Sequence, residues 1–341
     1  MASRPLVSII TATYNRSNVL RYAIESVVAQ TFTDWEMWIA GDACTDDTEA
    51  TVRAFGDPRL NFFNLPQNVG DQSGPNNQAF QRAGGRYIAY LNHDDLWFPD
   101  HLAASLQALE ETGADLVFPL IVKRRPDGVF TCDDLSADRR YVPHIAVPAS
   151  LWVLRRELIE EIGPWRRYSE CHATPSQEWL FRAWRAGKDL RYTPRLTALA
   201  LPSGGRPAAY ANRDFLENAA VYDRIRRDPG FRQEILIGIA EHYSFEQASA
   251  PIFDSARRTF RHLVHLTLAR DGGWPTGEYT PPLWVAVKKR LLRWAGAAGF
   301  HPMSLEFRLK FRRKGDFIRY LRRLRGLPAD TPPPRRTVAG Q

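Results

Sequence analysis

Three cysteines in 341 residues are too few and too scattered to staple a fold or chelate a metal. Cys44, Cys132 and Cys171 form no CxxC pair, so neither a disulfide framework nor a zinc site is indicated, and a reducing, cytoplasmic compartment is expected. Long apolar runs are also missing: no stretch reaches the roughly 20 residues that span a bilayer. Met1-Ala2-Ser3-Arg4-Pro5 leads into a strand-like run without an apolar signal segment. Glycine-rich phosphate loops are missing too. No GxGxxG follows the first predicted strand, which removes the dinucleotide fingerprint, and no GxxxxGK[ST] occurs, which removes the P-loop enzymes. There is no internal repeat and no recognised nucleic-acid module, so nucleic acid is not expected as a partner.

What is present is ordinary globular composition, 44% hydrophobic, on a length that suggests two or three units of about 150 residues. The net charge of +8 is unevenly spread, with the last third of the chain the most basic. That asymmetry points to an anionic surface, membrane lipid ahead of nucleic acid.

In the first half, short β-favouring runs alternate with helical spacing. Val7 to Ala12 reads as a strand, 19–29 as a helix, Trp35 to Ala40 as a strand, and 48–55 as a helix. Leu60 to Asn64 then reads as a strand, 76–83 as a helix stopped by Gly84-Gly85, and Tyr87 to Leu91 as a buried strand. This β-α-β-α-β-α-β order implies an α/β, doubly wound, mostly parallel sheet. Further on, 101–112 reads as helix, 115–122 as strand, 123–140 as polar loop and 150–154 as strand. Short helices are expected over 155–162 and 178–186, with a strand at 190–193. After a boundary near 209–212 strand signals fade. Helices are expected over 214–227, 231–248, 251–269, 282–297 and 305–325, giving a helical basic C-terminal region at 211–327. The Pro-rich 328–341 reads as a disordered tail.

Polar clusters fall where the predicted strands end: Thr11 to Asn15, Gly41-Asp42, Asn68 to Asp71, and His93-Asp94-Asp95. Topology puts such ends along one edge of the sheet, where open α/β sheets bind ligands. Carboxylates there suit magnesium or manganese on a phosphate, and His93 tilts the choice toward manganese. Taken alone, His93-Asp94-Asp95 reads equally as an acidic turn and helix cap ahead of Leu96-Trp97-Phe98-Pro99-Asp100.

The order of these strings resembles the family-2 glycosyltransferases with the GT-A fold. Val7 to Arg16 is similar to that family's opening strand and nucleotide loop, and Ser26 to Glu36 to its first helix and the following turn. Gly41 to Thr48 resembles its acidic loop, and Asn68-Val69-Gly70 with Arg86 to Asp95 completes the pattern. The resemblance covers residues 5–210 and implies a GT-A catalytic domain at 1–210. It implies donor contacts from Thr11, Tyr14, Asn15, Asp42, Asn68 and Asn76. Asp94 and Asp95 match the metal-and-diphosphate acids, Asp95 as the direct metal ligand and Asp94 toward ribose or sugar. Glu178 heads a helix resembling the one that carries the family's catalytic base.

The implied activity is inverting transfer from a nucleotide sugar, with UDP-sugars the leading choice, to a glycan, lipid-linked or protein-linked hydroxyl, assisted by Mn2+ or Mg2+. Polysaccharide biosynthesis is the implied setting. A non-catalytic nucleotide-sugar binder or scaffold is the alternative. There are departures from the family pattern. Gly41 stands where an acid is common. Pro75 stands where many members have an Arg that helps neutralise the diphosphate, so here another cation does so or the donor sits differently. Gln177-Glu178 replaces two acids.

Weaker candidates are Arg155-Arg156 and His172 at the acceptor, Trp165 and Trp179 as sugar-stacking faces, Asp133-Asp134 as a solvated turn, and the loop 203–206 as a lid. Cations interleave with apolar residues over 288–294, 307–314 and 318–325, a pattern that can lie at a membrane interface. Peripheral contact with the inner face of the membrane is therefore expected beside a plain packing role.

Overall fold

The computed structural model describes residues 4–133, 138–143, 145–201, 207–212, 217–248, 298, 311 and 313–330. The expected helices at 251–269 and 282–297, the loop 203–206, Asp134, and the tail beyond 330 lie outside them.

The chain begins β1 (Val7–Thr13), α1 (Ser17–Val28), β2 (Trp35–Gly41), α2 (Thr48–Arg53), β3 (Leu60–Asn64), α3 (Ser73–Arg82), β4 (Tyr87–Tyr90). It continues with β5 (Leu96–Trp97), α4 (His101–Thr112), β6 (Leu116–Phe118), β7 (Val122–Arg124) and β8 (Phe130–Cys132). Then come β9 (Val153–Arg155), α5 (Arg156–Ile162), α6 (Pro175–Arg185), β10 (Leu190–Tyr192), β11 (Ala198–Leu199), α7 (Glu217–Arg227) and α8 (Phe231–Ala248). A further helix, Asp316–Leu324, is called the C-terminal helix below.

The main sheet has the order β10-β6-β9-β4-β1-β2-β3. It is parallel throughout except at β9, which runs antiparallel to β4 and β6. Thr13 pairs with Gly41 and Gly41 with Asn64, so three strands finish level at one edge. β1 is buried along nearly its whole length, as a strand covered by helices on both faces must be. α1 turns Leu20, Ala23, Ile24 and Val27 onto it, the one-face spacing of a helix on a sheet. Pro75 falls in the first turn of α3, where its missing N–H costs nothing.

Trp152, Trp165 and Trp179 pack together around Tyr90, with Trp152 and Trp179 stacked at 5.7 Å and Trp165 4.9 Å from Tyr90. All three tryptophans are buried. Trp165 and Trp179 are therefore core rather than sugar-stacking faces.

The polar stretch expected as loop contains the hairpin β7–β8. Its Phe130 sits 6.1 Å from Phe231 of α8, a tertiary contact that local composition does not reveal. A second apolar cluster joins Leu96, Phe98, Val122, Leu199 and Leu201 to Val221, Tyr222, Phe231, Ile235 and Ile239. Packing thus runs across the boundary drawn near residue 210. No helix among the described residues is long and apolar enough to cross a membrane.

Candidate active site

The strand ends open into a cavity of about 340 Å³, whose wall includes Tyr14, Asp42, Asn68, Asp94, Tyr210 and Arg325. Each wall is built by a loop with a local reason for its shape. Asn15 takes a left-handed conformation, φ 48°, which Asn tolerates better than most residues. Its Oδ1 accepts from the backbone N–H of Thr45 at 2.8 Å and of Asp46 at 3.3 Å. Asn15 therefore ties the loop after β1 to the loop after β2. From the end of β1 and the residue after it, Thr13 and Tyr14 reach the cavity, while Thr11 within the strand is fully buried.

Asp42 follows β2. Its Oδ1 accepts from Val69 N at 2.6 Å and its Oδ2 from Gly70 N at 3.0 Å. Asn68 Nδ2 donates to the Asp42 carbonyl at 2.9 Å. Burial dominates the titration of Asp42 and pushes its pKa up to about 6, against the pull of the two N–H donors. The glycine before it has a steric cause. A Cβ on Gly41 would stand 2.4 Å from Asn64 Oδ1. That oxygen accepts from Cys44 N at 2.8 Å while Asn64 Nδ2 donates to the Cys44 carbonyl at 2.8 Å. Asn64 fills the place a side chain at position 41 would take.

The two neighbouring acids part company. Asp95 is buried; its Oδ1 accepts from Leu201 N at 2.8 Å, and its Oδ2 from Asn92 Nδ2 at 3.0 Å and from the Ser150 hydroxyl. Burial, and then the charge of Asp94, raise its pKa well above the carboxylate range. This is the environment of a structural acid, which differs from the direct metal ligand expected at Asp95. Asp94 is half-buried on the cavity wall, and its carbonyl accepts from Asn218 Nδ2 at 2.7 Å. His93 Nδ1 bonds the Ala12 carbonyl at 3.2 Å, and burial holds its pKa below the ordinary value.

Glu178 lies one turn into α6. Its Oε1 is 3.0 Å from Arg166 Nη1 and its Oε2 3.1 Å from Arg182 Nε. The cavity wall at this end is Thr174 and Pro175, so Glu178 faces its two arginines instead of the cavity. Gln177 is spent on the backbone of Val147. Asn76 is buried in α3 behind Pro75, and Pro75 is the residue that reaches the wall. Arg155 bonds the Ala114 and Leu109 carbonyls, and Arg156 those of Gly85 and Ala83. Both fasten the core rather than face an acceptor. Asp133 pairs with Lys123.

Asp71, the last residue of its predicted polar cluster, lines the cavity, as do three contributors that were missed: Tyr210, Arg322 and Arg325. Asp71 accepts from Ser73 N and, at 3.0 Å, from Tyr168 N, and burial raises its pKa. The others come from far along the chain, where only the alternation of cations and apolar residues marked 318–325.

A mostly parallel sheet with helices on both faces and an acid-lined cavity at its strand ends defines the class: a GT-A fold. Residues 8–162 match the model described as Glycosyl transferase family 2. The chain is 35% identical over 117 residues to "Putative teichuronic acid biosynthesis glycosyltransferase TuaG" of Bacillus subtilis, covering 34% of this chain and 46% of that one. It therefore spans about half the length of that curated relative.

Two solved structures share the fold. S. aureus TarS 1-349 in complex with UDP-GlcNAc superposes with TM-score 0.51 at 14% identity, covering 90% of this chain and 91% of that one. The mannosyltransferase PcManGT from Pyrobaculum calidifontis, in complex with GDP-Man and Mn2+, gives TM-score 0.51 at 18% identity, covering 91% and 88%.

Proposed function

We propose that the protein transfers a sugar from a nucleotide-sugar donor to an acceptor hydroxyl, with inversion at the anomeric carbon. The observation that carries this reading is the meeting of Asp42 and Asp94, from the ends of two parallel strands, in one cavity. Asp42 is read as the nucleoside contact, because each of its oxygens is oriented by one backbone N–H and retains capacity to accept from a base. Tyr14, which follows the Thr13 carbonyl that accepts from Asp42 N at 2.8 Å, offers aromatic surface to the nucleoside.

Asp94 takes the diphosphate-facing place in this reading, because three donors already occupy Asp95. Among the described residues no three His, Cys, Asp or Glu side chains converge to hold a metal. One acid plus donor phosphates is nonetheless a fit for Mg2+ or Mn2+, which bind through one or two carboxylates and substrate oxygens. Bound there, such a cation would offset charge on the departing diphosphate. The family match and the UDP-sugar and GDP-sugar held by the two structural neighbours support a nucleotide-sugar donor. The relative named for teichuronic acid biosynthesis supports a surface glycan, lipid-linked or not, as acceptor.

The end of α6 at Thr174 and Pro175 is read as the acceptor side. Glu178 is then a group that orients α6 and Arg166, since its two oxygens are taken up by Arg166 and Arg182 away from the cavity wall.

The test is a thermal-shift and donor-turnover screen of UDP- and GDP-sugars with manganese or magnesium. A specific shift, with turnover lost in Asp94→Ala, supports the proposal. A specific shift without turnover across acceptors supports the binder reading, which the ion-paired Glu178 favours. A panel that neither shifts nor turns over overturns both.

A further inference from the structure

The cavity contains a wall that the family match at 8–162 does not include. The C-terminal helix turns Ile318, Leu321, Arg322 and Arg325 toward it, the i, i+3, i+4, i+7 spacing of one helical face. Arg319, on another face, pairs with Asp316 and Asp330. The helix is anchored at both ends. Gly315 N donates to the Cys171 carbonyl at 2.9 Å, and Ala208 N and Tyr210 N donate to the carbonyls of Leu324 and Arg325 at 2.7 and 3.1 Å. Gly326, φ 80°, closes it with bonds from Gly326 N to Arg323 O and from Leu327 N to Arg322 O. That is the Schellman pattern, which fixes the direction in which Arg325 leaves the helix.

The two inward arginines divide the cavity. Arg322 is buried, and its Nη1 donates to the Gly70 carbonyl at 2.9 Å. Gly70 in turn donates to Asp42, so Arg322 belongs to the nucleoside end. Arg325 stands 6.0 Å from the Tyr210 ring. The Tyr210 ring in turn lies 6.3 Å from the ring of His93, the residue before Asp94, and all four line the cavity, so Arg325 shares the end where Asp94 lies. Pro75, also on the wall, brings no charge.

We propose that the C-terminal helix completes the donor site and that Arg325 is its diphosphate-binding cation, supplied from outside the family-2 segment. This rests on reading the cavity as a nucleotide-sugar site. A guanidinium matches phosphate oxygens with two parallel donors. It would stand where the leaving group gathers charge, and it answers the need for a cation that Pro75 leaves open.

Calorimetric titration of the full chain in manganese separates the possibilities, with UDP, GDP, uridine and guanosine as probes. Arg325→Ala and Arg325→Gln are expected to weaken diphosphate binding by about 10- to 100-fold, the loss of a charge-assisted contact. Affinity for the matching nucleoside is expected to hold. Arg325→Lys is expected to recover part of the loss, and Arg319→Ala to change neither. Thermal melts of the unliganded variants check that they fold; should Ala not fold, Gln and Lys carry the comparison. Diphosphate affinity unchanged in Arg325→Gln, or lost in equal proportion with nucleoside affinity, overturns the assignment of Arg325 alone. Wild-type protein that binds neither diphosphate overturns the glycosyltransferase reading, and this proposal with it.

Discussion

Asp95 accepts a hydrogen bond from the backbone N–H of Leu201, 2.8 Å away and 106 positions along the chain. With Ser150 and Asn92 on its other oxygen, this acid stitches the loop after β4 to β11 and the turn before β9. Its neighbour Asp94 does not share these partners. Asp95→Ala is therefore expected to cost about 2–4 kcal/mol of stability by orphaning buried donors. Asp94→Ala, at a half-buried position, should cost less stability than Asp95→Ala while abolishing metal-dependent nucleotide binding. Urea unfolding of both variants, beside nucleotide titrations, checks the division. Equal stability losses in the two variants would contradict it.

Asp42 carries a pH signature. Its folded pKa is raised to about 6 from 3.8, chiefly by burial. Between those values the folded state holds a proton that the unfolded state has released, so stability falls as pH rises. The contribution is fully present below about pH 4 and gone above about pH 6, a swing of about 3 kcal/mol. Asp42→Asn should flatten the stability profile over that window. Arg322 lowers the pKa of Asp42, so Arg322→Ala should move the Asp42 titration to higher pH, readable by NMR of the carboxyl carbon.

Glu178→Gln separates a base from a fastening group. Loss of a general base costs about 10²–10⁴-fold in turnover. The double pairing with Arg166 and Arg182 instead predicts a turnover change below about tenfold and a stability loss of roughly 1–2 kcal/mol. Turnover assays and melts of the same preparation decide between the two.

Gly41 is expected to reject the acid common at its position in the family. Gly41→Asp should destabilise by about 1–3 kcal/mol, since its Cβ meets Asn64. Asn64→Ala should restore part of that loss in the double variant, the non-additivity of two residues competing for one space. Additive losses would show that Asn64 is not the obstacle.

Much of this architecture could be read from local pattern. The strands β1 to β4 announce themselves as short β-favouring runs, and α8 occupies the span that its periodicity predicts, Phe231–Ala248. What stayed hidden depends on distant partners. Asp94 and Asp95 look alike in sequence, and only Ser150 and Leu201 distinguish them. Trp165 and Trp179 carry no local mark of whether they meet sugar or each other's neighbours. The stretch 318–325 has the same apolar and basic spacing whether it lies on lipid or over a cavity. Its Ile318 and Leu321 are turned to the cavity, a use that the membrane expectation for this stretch did not include.

The bond from Arg322 to Gly70 joins residues 252 positions apart, and this separation has a consequence during synthesis. At about 5–20 residues per second, the ribosome needs roughly 10 to 50 seconds after making the Asp42 loop before it reaches this wall. Until then the Gly70 carbonyl lacks its guanidinium and the cavity lacks the wall formed by Ile318, Leu321, Arg322 and Arg325, so the cavity is completed only late in the chain's own translation.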